Sequence, residues 1–296
     1  MKNLARSRGD RLFDLFNILL FAFVSLIVIY PLYFMIIASF SDPQSINSGA
    51  VWLLPQDITF EGYSRILNDP NIWLGYRNSI FYTIVGTAIN VALIIPAGYA
   101  LSRRDLLGRN PIIIFIVFTM FFNGGLIPTY LVVKNLGMLD TIWALILPSA
   151  VGVYNLIICR TYFQSTIPDA LYEAAAIDGS TNTGFFFRVV LPLSLPIIAV
   201  MVLFHVVMHW NSYFPALIYL KDEVKRPLQL ILREILIISQ QQDNMVVDSE
   251  SIADQQRIAE LVKYGVVIVA SLPVLVLYPF LQKYFVKGVM IGSIKG

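Results

Sequence analysis

The chain has 296 residues, of which 57% are hydrophobic and only 14% are charged, whereas about 25% of the residues of an ordinary soluble domain carry charge. This composition excludes a typical water-soluble globule, and an aromatic content of 13% excludes a disordered chain. The net charge of +2 is too small to favour nucleic acid as a partner. With a mean hydropathy of +0.71, the natural solvent of the chain is lipid, so we expect a multi-pass membrane protein.

Six long stretches of the chain carry few or no charged residues, and each is long enough to cross a membrane. A helix rises about 1.5 Å per residue, so about 20 apolar residues cross a hydrocarbon core of about 30 Å. We therefore predict an all-α membrane protein with six transmembrane helices in a single domain over residues 1–296. The predicted spans are residues 15–40, 78–101, 111–132, 140–160, 189–211 and 261–282.

Lysine and arginine residues indicate which ends of these helices face the cytoplasm. The segment before the first span holds Lys2, Arg6, Arg8 and Arg11. The other segments on the same side of the membrane are also basic. Because cytoplasmic segments are enriched in lysine and arginine, we place both the N-terminus and the C-terminus in the cytoplasm.

Two segments on the outer side, 41–76 and 212–260, are longer than simple turns. The first carries aromatic residues that include Trp52 and Trp73, which suits anchoring at the membrane interface. The second contains an apolar stretch over 228–238 and then a polar run. Its length and pattern predict an ordered extracellular loop with a short helix of its own.

A cytoplasmic segment between the fourth and fifth spans, 166–180, has the signals of a short helix. Pro168 and Asp169 suit its first turn, where a missing N–H is harmless and a negative charge meets the helix dipole. Gly179 suits its end, where a left-handed residue is favoured. About three turns of helix are too few to be stable alone in water, so this helix needs a partner surface.

The residues of the short helix are suited to contact with another protein. Ala170, Ala174 and Ala175 give a small-residue face that a partner could approach closely. Glu173 and Asp178 offer carboxylates to basic groups on that partner. The sequence therefore predicts a docking helix.

A longer pattern runs from this helix to the start of the fifth span. It reads Glu-Ala-Ala, three residues, glycine, nine residues, an aliphatic residue, one residue and Leu-Pro. Its members are Glu173, Ala174, Ala175, Gly179, Val189, Leu191 and Pro192. The pattern resembles the EAA signature of permease subunits in binding-protein-dependent ABC importers. Valine at position 189, where isoleucine is more frequent in that family, keeps the β-branch.

The resemblance implies a type I ABC importer transmembrane domain that forms half of a carbohydrate path across a bacterial cell membrane. In such importers the short helix is a coupling helix that lies in a cleft of a cytoplasmic ATPase subunit. The resemblance thus assigns ATPase coupling to Glu173, Ala174, Ala175, Asp178, Gly179, Leu191 and Pro192. The implied partners are a homologous second permease in a heterodimer, two ATPase subunits and an extracellular solute-binding protein.

The chain itself is not expected to be an enzyme. ATP hydrolysis requires a phosphate-binding loop of the form Gly-x-x-x-x-Gly-Lys-Ser/Thr, and the sequence contains none. The resemblance places ATP and Mg²⁺ on the ATPase subunits, so no cofactor is expected in this chain.

Further segments narrow the family resemblance to one branch. Residues 123–130, 139–143, 209–214 and 227–229 are similar to those of carbohydrate permeases of the LplC and YtcP type. This second resemblance implies that the carbohydrate is an oligosaccharide.

Candidates for the substrate path are polar and aromatic residues, most of them at the end of the fifth span. They are Trp210, Asn211 and Tyr213, together with Asn123 and Tyr130. Polar groups at membrane depth cost free energy unless they face protein or a water-filled cavity. Asparagine can donate and accept hydrogen bonds, and aromatic rings can stack on a sugar. Hydrogen bonds between helices are the alternative role for the polar groups.

His205 and His209 have the spacing of two metal ligands on one helix face, but no third ligand is evident, so no metal site is predicted.

A secondary transporter, or another kind of six-helix membrane protein, is the alternative function. A secondary transporter often carries an intramembrane carboxylate, and the interior of the predicted spans has no acidic residue. An intramembrane enzyme would depend on the two histidines alone.

Overall fold

The computed structural model describes residues 8–243, 257, 259–276 and 279, and this part of the chain contains helices and turns but no strand. The prediction of an all-α protein is confirmed for these residues. The α-helices are α1 (Arg8–Ala38), α2 (Pro43–Asn47), α3 (Glu61–Asn68), α4 (Pro70–Ser102), α5 (Arg109–Phe121), α6 (Leu126–Asn135), α7 (Ile142–Ile146), α8 (Val153–Thr166), α9 (Asp169–Ile177), α10 (Asn182–Phe185), α11 (Leu191–Leu193), α12 (Leu195–Trp210), α13 (Phe214–Tyr219), α14 (Leu228–Asp243) and α15 (Ala259–Val276). Shorter turns include a π-helical turn at Phe186–Val190.

Between three and six membrane spans can be built from the described helices. Helices α1, α4 and α15 are each long and apolar enough to cross a membrane alone. Three further pairs of helices reach the required length only together, and each pair is bent by more than 40°. The six spans predicted from the sequence are the upper limit of this range.

The third predicted span, 111–132, is not one straight helix. Helix α5 ends at Phe121, α6 begins at Leu126, and their axes meet at 114°. Gly125 lies between them with φ of +81° and ψ of −173°, a conformation that side chains with a Cβ rarely adopt. The length of this uncharged stretch predicted a continuous helix, but two consecutive glycines at 124 and 125 allow the chain to turn.

The fourth and fifth predicted spans are also divided. In place of a helix over 140–160, α7 and α8 are joined by a 50° bend, and α8 continues to Thr166. In place of a helix over 189–211, helical turns from Asn182 to Leu193 meet α12 at 77°. Proline has no N–H to donate within a helix, so Pro192 and Pro196 explain why the helix breaks between them.

Both predicted outer segments contain helices among the described residues, as the sequence predicted for the second of them. Helix α4 begins at Pro70, so it takes up the last residues of the predicted loop 41–76. Proline is well suited to the first turn of a helix. The predicted loop 212–260 contains α13 and α14, and its residues 244–256 lie outside the described residues, as do several at the end of the predicted span 261–282.

The described part of the chain divides into two compact units, and the first comprises residues 8–69 together with the described residues of 234–270. Its charged groups meet at Arg257, whose guanidinium lies 3.2 Å from the Asp42 carboxylate and 2.9 Å from that of Glu61. The hydrogen bond from Arg65, with a smaller contribution from Arg257, holds the pKa of Glu61 below its ordinary value. The membrane-length part of α1 is wholly unburied, so its apolar side chains require lipid or another protein.

The second unit comprises residues 70–233 and the described residues from 271 onward, and its core lies where α4 packs on α8 and α12. We call its buried residues the central cluster: Ile94, Ile95, Cys159, Phe163, Phe185, Val190, Ile197 and Met201. A Cβ on Gly98 would lie 2.7 Å from the Cβ of Cys159, so glycine is required for this approach of α4 to α8. The central cluster is the base on which α9 is mounted.

Candidate functional site

Helix α9 occupies Asp169–Ile177, inside the segment 166–180 predicted to be the coupling helix. It begins after Pro168, and its C-terminal end is closed by glycine with φ of +75° at position 179. The N–H groups of Gly179 and Ser180 donate to carbonyls of the last helical turn at 3.1 and 2.9 Å. This left-handed cap is the reason that the pattern requires glycine at this position.

The inner side of α9 is attached to the second unit through Tyr172. The guanidinium of Arg103 lies 3.5 Å from the centre of the Tyr172 ring. The Tyr172 hydroxyl group donates to Oδ1 of Asn182 at 2.8 Å, and its ring meets the buried Phe185 edge-on at 5.6 Å. A stacked cation, a hydrogen bond and an aromatic contact therefore hold one side chain, which fixes the position of the whole short helix.

Ala175 lies on this inner side and not on the exposed small-residue face where the sequence placed it. It is half-buried against the central cluster, as are Val189 and Leu191. Residues 172 and 175 are three apart and share one helix face, which explains why they pack together. Three members of the EAA-type pattern thus meet at one hydrophobic base, whereas Pro192 is exposed.

The outer side of α9 carries the remaining members of the pattern. Glu173, Ala174 and Asp178 are exposed, and so is Ala170. Ile177, which is 86% exposed, and Leu171 add apolar surface. An exposed short helix with apolar, small and acidic side chains, held firmly from behind, has the properties of a docking surface for another protein.

Helix α9 lies beside the C-terminal end of α4. Arg104 is 3.8 Å from the carboxylate of Asp169, the first residue of α9. Arg103 also pairs with Asp105 at 2.9 Å, and this pairing holds the pKa of the Asp105 carboxyl below its ordinary value. The residues after α4 therefore lie next to the start of α9, and because the Arg104–Asp169 pair is largely exposed, the stacking of Arg103 on Tyr172 is the stronger of the two contacts.

The predicted substrate-path residues are dispersed over several local environments. Trp210 is buried and its ring lies 6.0 Å from that of Tyr76. The amide of Asn211 is exposed and donates to the carbonyl of Val207 at 2.9 Å. Tyr213 is exposed, with the guanidinium of Arg233 at 5.9 Å from its ring.

The other two predicted path residues serve nearby structure. Oδ1 of Asn123 accepts the N–H of Gly125 at 3.0 Å, which supports the turn between α5 and α6. Tyr130 stacks on Tyr219 with ring centres 6.2 Å apart. No contact among the described side chains joins the five candidates into one site.

The two histidines of α12 make hydrogen bonds between helices. Nδ1 of His205 donates to Met201 O at 2.7 Å, so its Nε2 is free to accept from the Asn155 amide at 3.3 Å. Nε2 of His209 lies 3.3 Å from Oδ1 of Asn90 on α4. Among the described residues no three His, Cys, Asp or Glu side chains group as metal ligands.

A residue that sequence reasoning did not single out, Asp140, joins two distant segments. Its carboxylate accepts the N–H groups of Lys221 and Asp222, each at 3.1 Å, and pairs with Lys225 Nζ at 2.8 Å. Its own N–H donates to Tyr219 O at 2.8 Å. We call these contacts the Asp140 latch.

Asp140 adopts φ of +60°, a left-handed conformation that aspartate tolerates better than most residues. Lys225 and the two backbone N–H groups lower the pKa of its carboxyl to about 2. The segment 139–143 already stood out in the sequence. Its partners could not be identified there because they lie about 80 residues away along the chain.

Comparisons with known proteins agree with this architecture. The family described as binding-protein-dependent transport system inner membrane component matches residues 71–291. The chain is 45% identical over 287 residues to the polygalacturonan/rhamnogalacturonan transport system permease protein YtcP of Bacillus subtilis (strain 168), covering 95% of this chain and 99% of YtcP. It is 41% identical over 290 residues to protein LplC of the same strain, covering 98% and 97%.

A solved structure has a similar fold. It is the crystal structure of a bacterial ABC transporter involved in the import of the acidic polysaccharide alginate. One of its chains superimposes with a TM-score of 0.85 at 34% identity, covering 96% of this chain and 100% of that chain.

Proposed function

The chain belongs to the family of binding-protein-dependent transport system inner membrane components, and from this premise we propose that it forms half of an ATP-driven path for an oligosaccharide. It is a permease subunit of an ABC importer, with the type I importer permease fold. As a member of this family it is a multi-pass protein of the cell membrane.

The observation that carries the coupling role is the mounting of α9. Tyr172 and Ala175 fix the inner side of the helix to the central cluster, while Glu173 and Ala174 remain exposed. A partner that pushes on this face displaces the end of α4 with it, because Arg103 and Arg104 join the two helices. The pushing partner in this proposal is a cytoplasmic ATPase subunit.

The proposed assembly contains one copy of this chain, one homologous second permease and two ATPase subunits. A solute-binding protein delivers the oligosaccharide on the outer side. The proposal includes six spans, counting each bent pair as one, with both termini in the cytoplasm. A single chain with up to six spans is about the size of half a path, which supports a requirement for a second permease.

The proposed substrate is an acidic oligosaccharide. The name of YtcP refers to polygalacturonan and rhamnogalacturonan, and the similar solved structure belongs to an importer of alginate, described as acidic. Galacturonan is a polymer of a sugar that carries a carboxylate. All three named polysaccharides thus carry carboxylates, which favours a uronate-containing substrate for this chain.

Purification of the tagged chain in mild detergent tests the assembly. Native mass spectrometry should find this chain, a second permease and two ATPase subunits in one complex. The complex is then placed in proteoliposomes and supplied with its solute-binding protein. It should take up oligosaccharide only when ATP is present on the cytoplasmic side of the permease. Uptake by the chain alone, driven by an ion gradient, would contradict the proposal and favour a secondary transporter.

A further inference from the structure

A cavity of about 550 Å³ lies at the end of α4 that is remote from the coupling helix. Arg77 lines it, and positions 77 and 103 are 26 residues apart, or about 39 Å along a helix. An importer receives its substrate on the side opposite its ATPases, so this is the side on which the substrate arrives. The volume is within the range of about 300–1,000 Å³ that is typical of small-ligand sites.

Most polar groups in the cavity wall already have partners. Asp140 pairs with Lys225 in the Asp140 latch, and the Tyr82 hydroxyl group donates to the Lys225 carbonyl at 2.8 Å. The amide of Asn78 donates to the carbonyls of Val224 and Arg226, at 2.7 and 3.0 Å. These bonds fix the wall and leave little unused hydrogen-bonding capacity in it.

Arg77 differs from its neighbours in the wall. Its side chain is exposed, and it forms no ion pair with any residue that the structure describes. Of the charged residues that line the cavity, Asp140 pairs with Lys225, which also pairs with Asp222 at 3.4 Å, so Arg77 is the lining cation whose charge no described residue pairs with. A guanidinium group presents several N–H donors in a planar arrangement that matches a carboxylate in a bidentate manner.

Phe81 supplies an apolar surface at the correct spacing from Arg77. The two residues are four apart on α4, so their side chains are neighbours on one face, with Cβ atoms about 5–6 Å apart. The Phe81 ring is 53% exposed and lines the same cavity. A pyranose ring with a carboxylate at one edge is about as long as this spacing between the two side chains. The sugar ring can therefore lie on Phe81 while its carboxylate reaches Arg77.

We infer that this cavity is an acceptor site for one uronate unit of the arriving oligosaccharide. Arg77 pairs with the carboxylate of that unit, and Phe81 packs against the C–H face of its ring. The Asp140 latch holds the opposite wall in place and keeps its own carboxylate paired with Lys225, away from the substrate. The inference rests on the proposed function and adds to it the residues that recognise acidity.

The test compares Arg77→Gln, Arg77→Lys and Lys221→Gln in the purified four-subunit complex without solute-binding protein. Lys221 is an exposed cation in the same part of the molecule that does not line the cavity, so its substitution removes one charge and leaves the site intact. The probes are trigalacturonate and its carboxyl-reduced neutral counterpart, galactotriose. Ligand-detected saturation-transfer NMR measures binding of each, since it is suited to weak ligands.

Arg77→Gln should weaken the binding of trigalacturonate about tenfold and leave the weak binding of galactotriose unchanged. Arg77→Lys should retain part of the affinity because it keeps the charge but not the bidentate geometry. Lys221→Gln should behave as the unchanged protein does. Phe81→Ala should weaken the binding of both sugars.

Equal binding of trigalacturonate by the unchanged complex and by Arg77→Gln would overturn the inference, as would equal losses in Arg77→Gln and Lys221→Gln. Absence of trigalacturonate binding to the unchanged complex would also overturn it. ATP-driven uptake by the same preparation, measured with its solute-binding protein, reports separately on the proposed function. A preparation that takes up oligosaccharide with ATP but shows no Arg77-dependent binding of trigalacturonate refutes the proposed site and leaves the proposed function standing.

Discussion

The residues of the EAA-type pattern divide between two physical tasks. Gly179 ends α9 in a left-handed conformation, and Ala175 and Leu191 pack on the central cluster. Glu173 and Ala174 are exposed and have no such internal role. Substitutions of the first group should therefore disturb the mounting of α9, whereas substitutions of the second should disturb only what docks on it.

Glu173→Lys is the substitution that best isolates docking. The side chain is exposed, so the fold should not change, but a reversed charge should repel the basic groups expected on an ATPase subunit. We expect ATP-driven uptake in proteoliposomes to fall about tenfold or more, with normal amounts of permease in the membrane. Glu173→Gln removes the charge without reversing it, so its uptake should lie between that of the unchanged protein and that of Glu173→Lys. Normal uptake by Glu173→Lys would contradict the docking role.

The Asp140 latch provides a pH-dependent prediction. Its folded-state pKa of about 2 lies below the ordinary value of 3.8, so its stabilisation is complete above about pH 4 and is lost as the pH falls through 2. Asp140→Asn keeps the shape and tolerates φ of +60° but loses the ion pair with Lys225.

The difference in thermal unfolding midpoint between the unchanged protein and Asp140→Asn should be constant from pH 5 to pH 8. It should shrink below about pH 4, because the Asp140 carboxyl then binds a proton in the unfolded chain, and the folded carboxyl does so only as the pH approaches 2. A difference that changes between pH 5 and pH 8 would show that another group controls the contact. Asp140→Ala, which adds backbone strain, should be less stable than Asp140→Asn at every pH.

At the scale of elements, the principal finding is that three of the predicted spans are bent. The bends fall at two consecutive glycines, at the turn before α8, and between Pro192 and Pro196. The length of a stretch without charged residues indicates that the segment prefers lipid, but it carries no information on whether the backbone of that segment is straight. Glycine and proline are the local signals of a bend, and both were present in the sequence.

The bend between α5 and α6 can be tested at its two glycines. Gly125 has φ of +81°, so Gly125→Ala should cost about 1–3 kcal/mol. Gly124 lacks a positive φ, and a Cβ there would lie 3.3 Å from the Cβ of Pro128, a contact that a small shift relieves. Thermal unfolding of the purified complex should thus show a lower midpoint for Gly125→Ala than for Gly124→Ala. The reverse order would show that the bend does not depend on the conformation of Gly125.

At the scale of the whole molecule, exposed apolar surface defines the chain as one part of an assembly. Helix α1 buries none of its membrane-length segment, and α9 exposes Ile177 and Leu171 at the end of the second unit where an ATPase is proposed to dock. Lipid can cover the first of these surfaces. The second lies beside charged residues at a helix end, so it requires a protein partner.

Helix α4 runs between the two proposed functional sites of the second unit. Helix α4 carries Arg77 and Phe81 in the cavity, and Arg103 and Arg104, which directly follow its last residue, lie next to α9 about 39 Å away. The proposed recognition of substrate and the proposed coupling to ATP thus share one continuous element. This arrangement gives a physical connection between the two sites without a chain of separate contacts.

The sequence by itself determined the solvent of the chain, its helical class, its family resemblance and the position of the short helix α9. Each of these depends on composition or on signals within a few residues, such as the charge-free stretches and the proline and glycine that bound α9. Glu173 was identified in this way because a fixed local pattern contains it.

Only the tertiary structure decided which way Ala175 faces, where the spans bend, and which side chains meet. The Asp140 latch joins positions about 80 residues apart, and the cavity brings Arg77 close to the same segments. The physical reason is that pairing of distant charges and the lining of a cavity depend on how helices pack. Periodicity along the chain does not encode that packing.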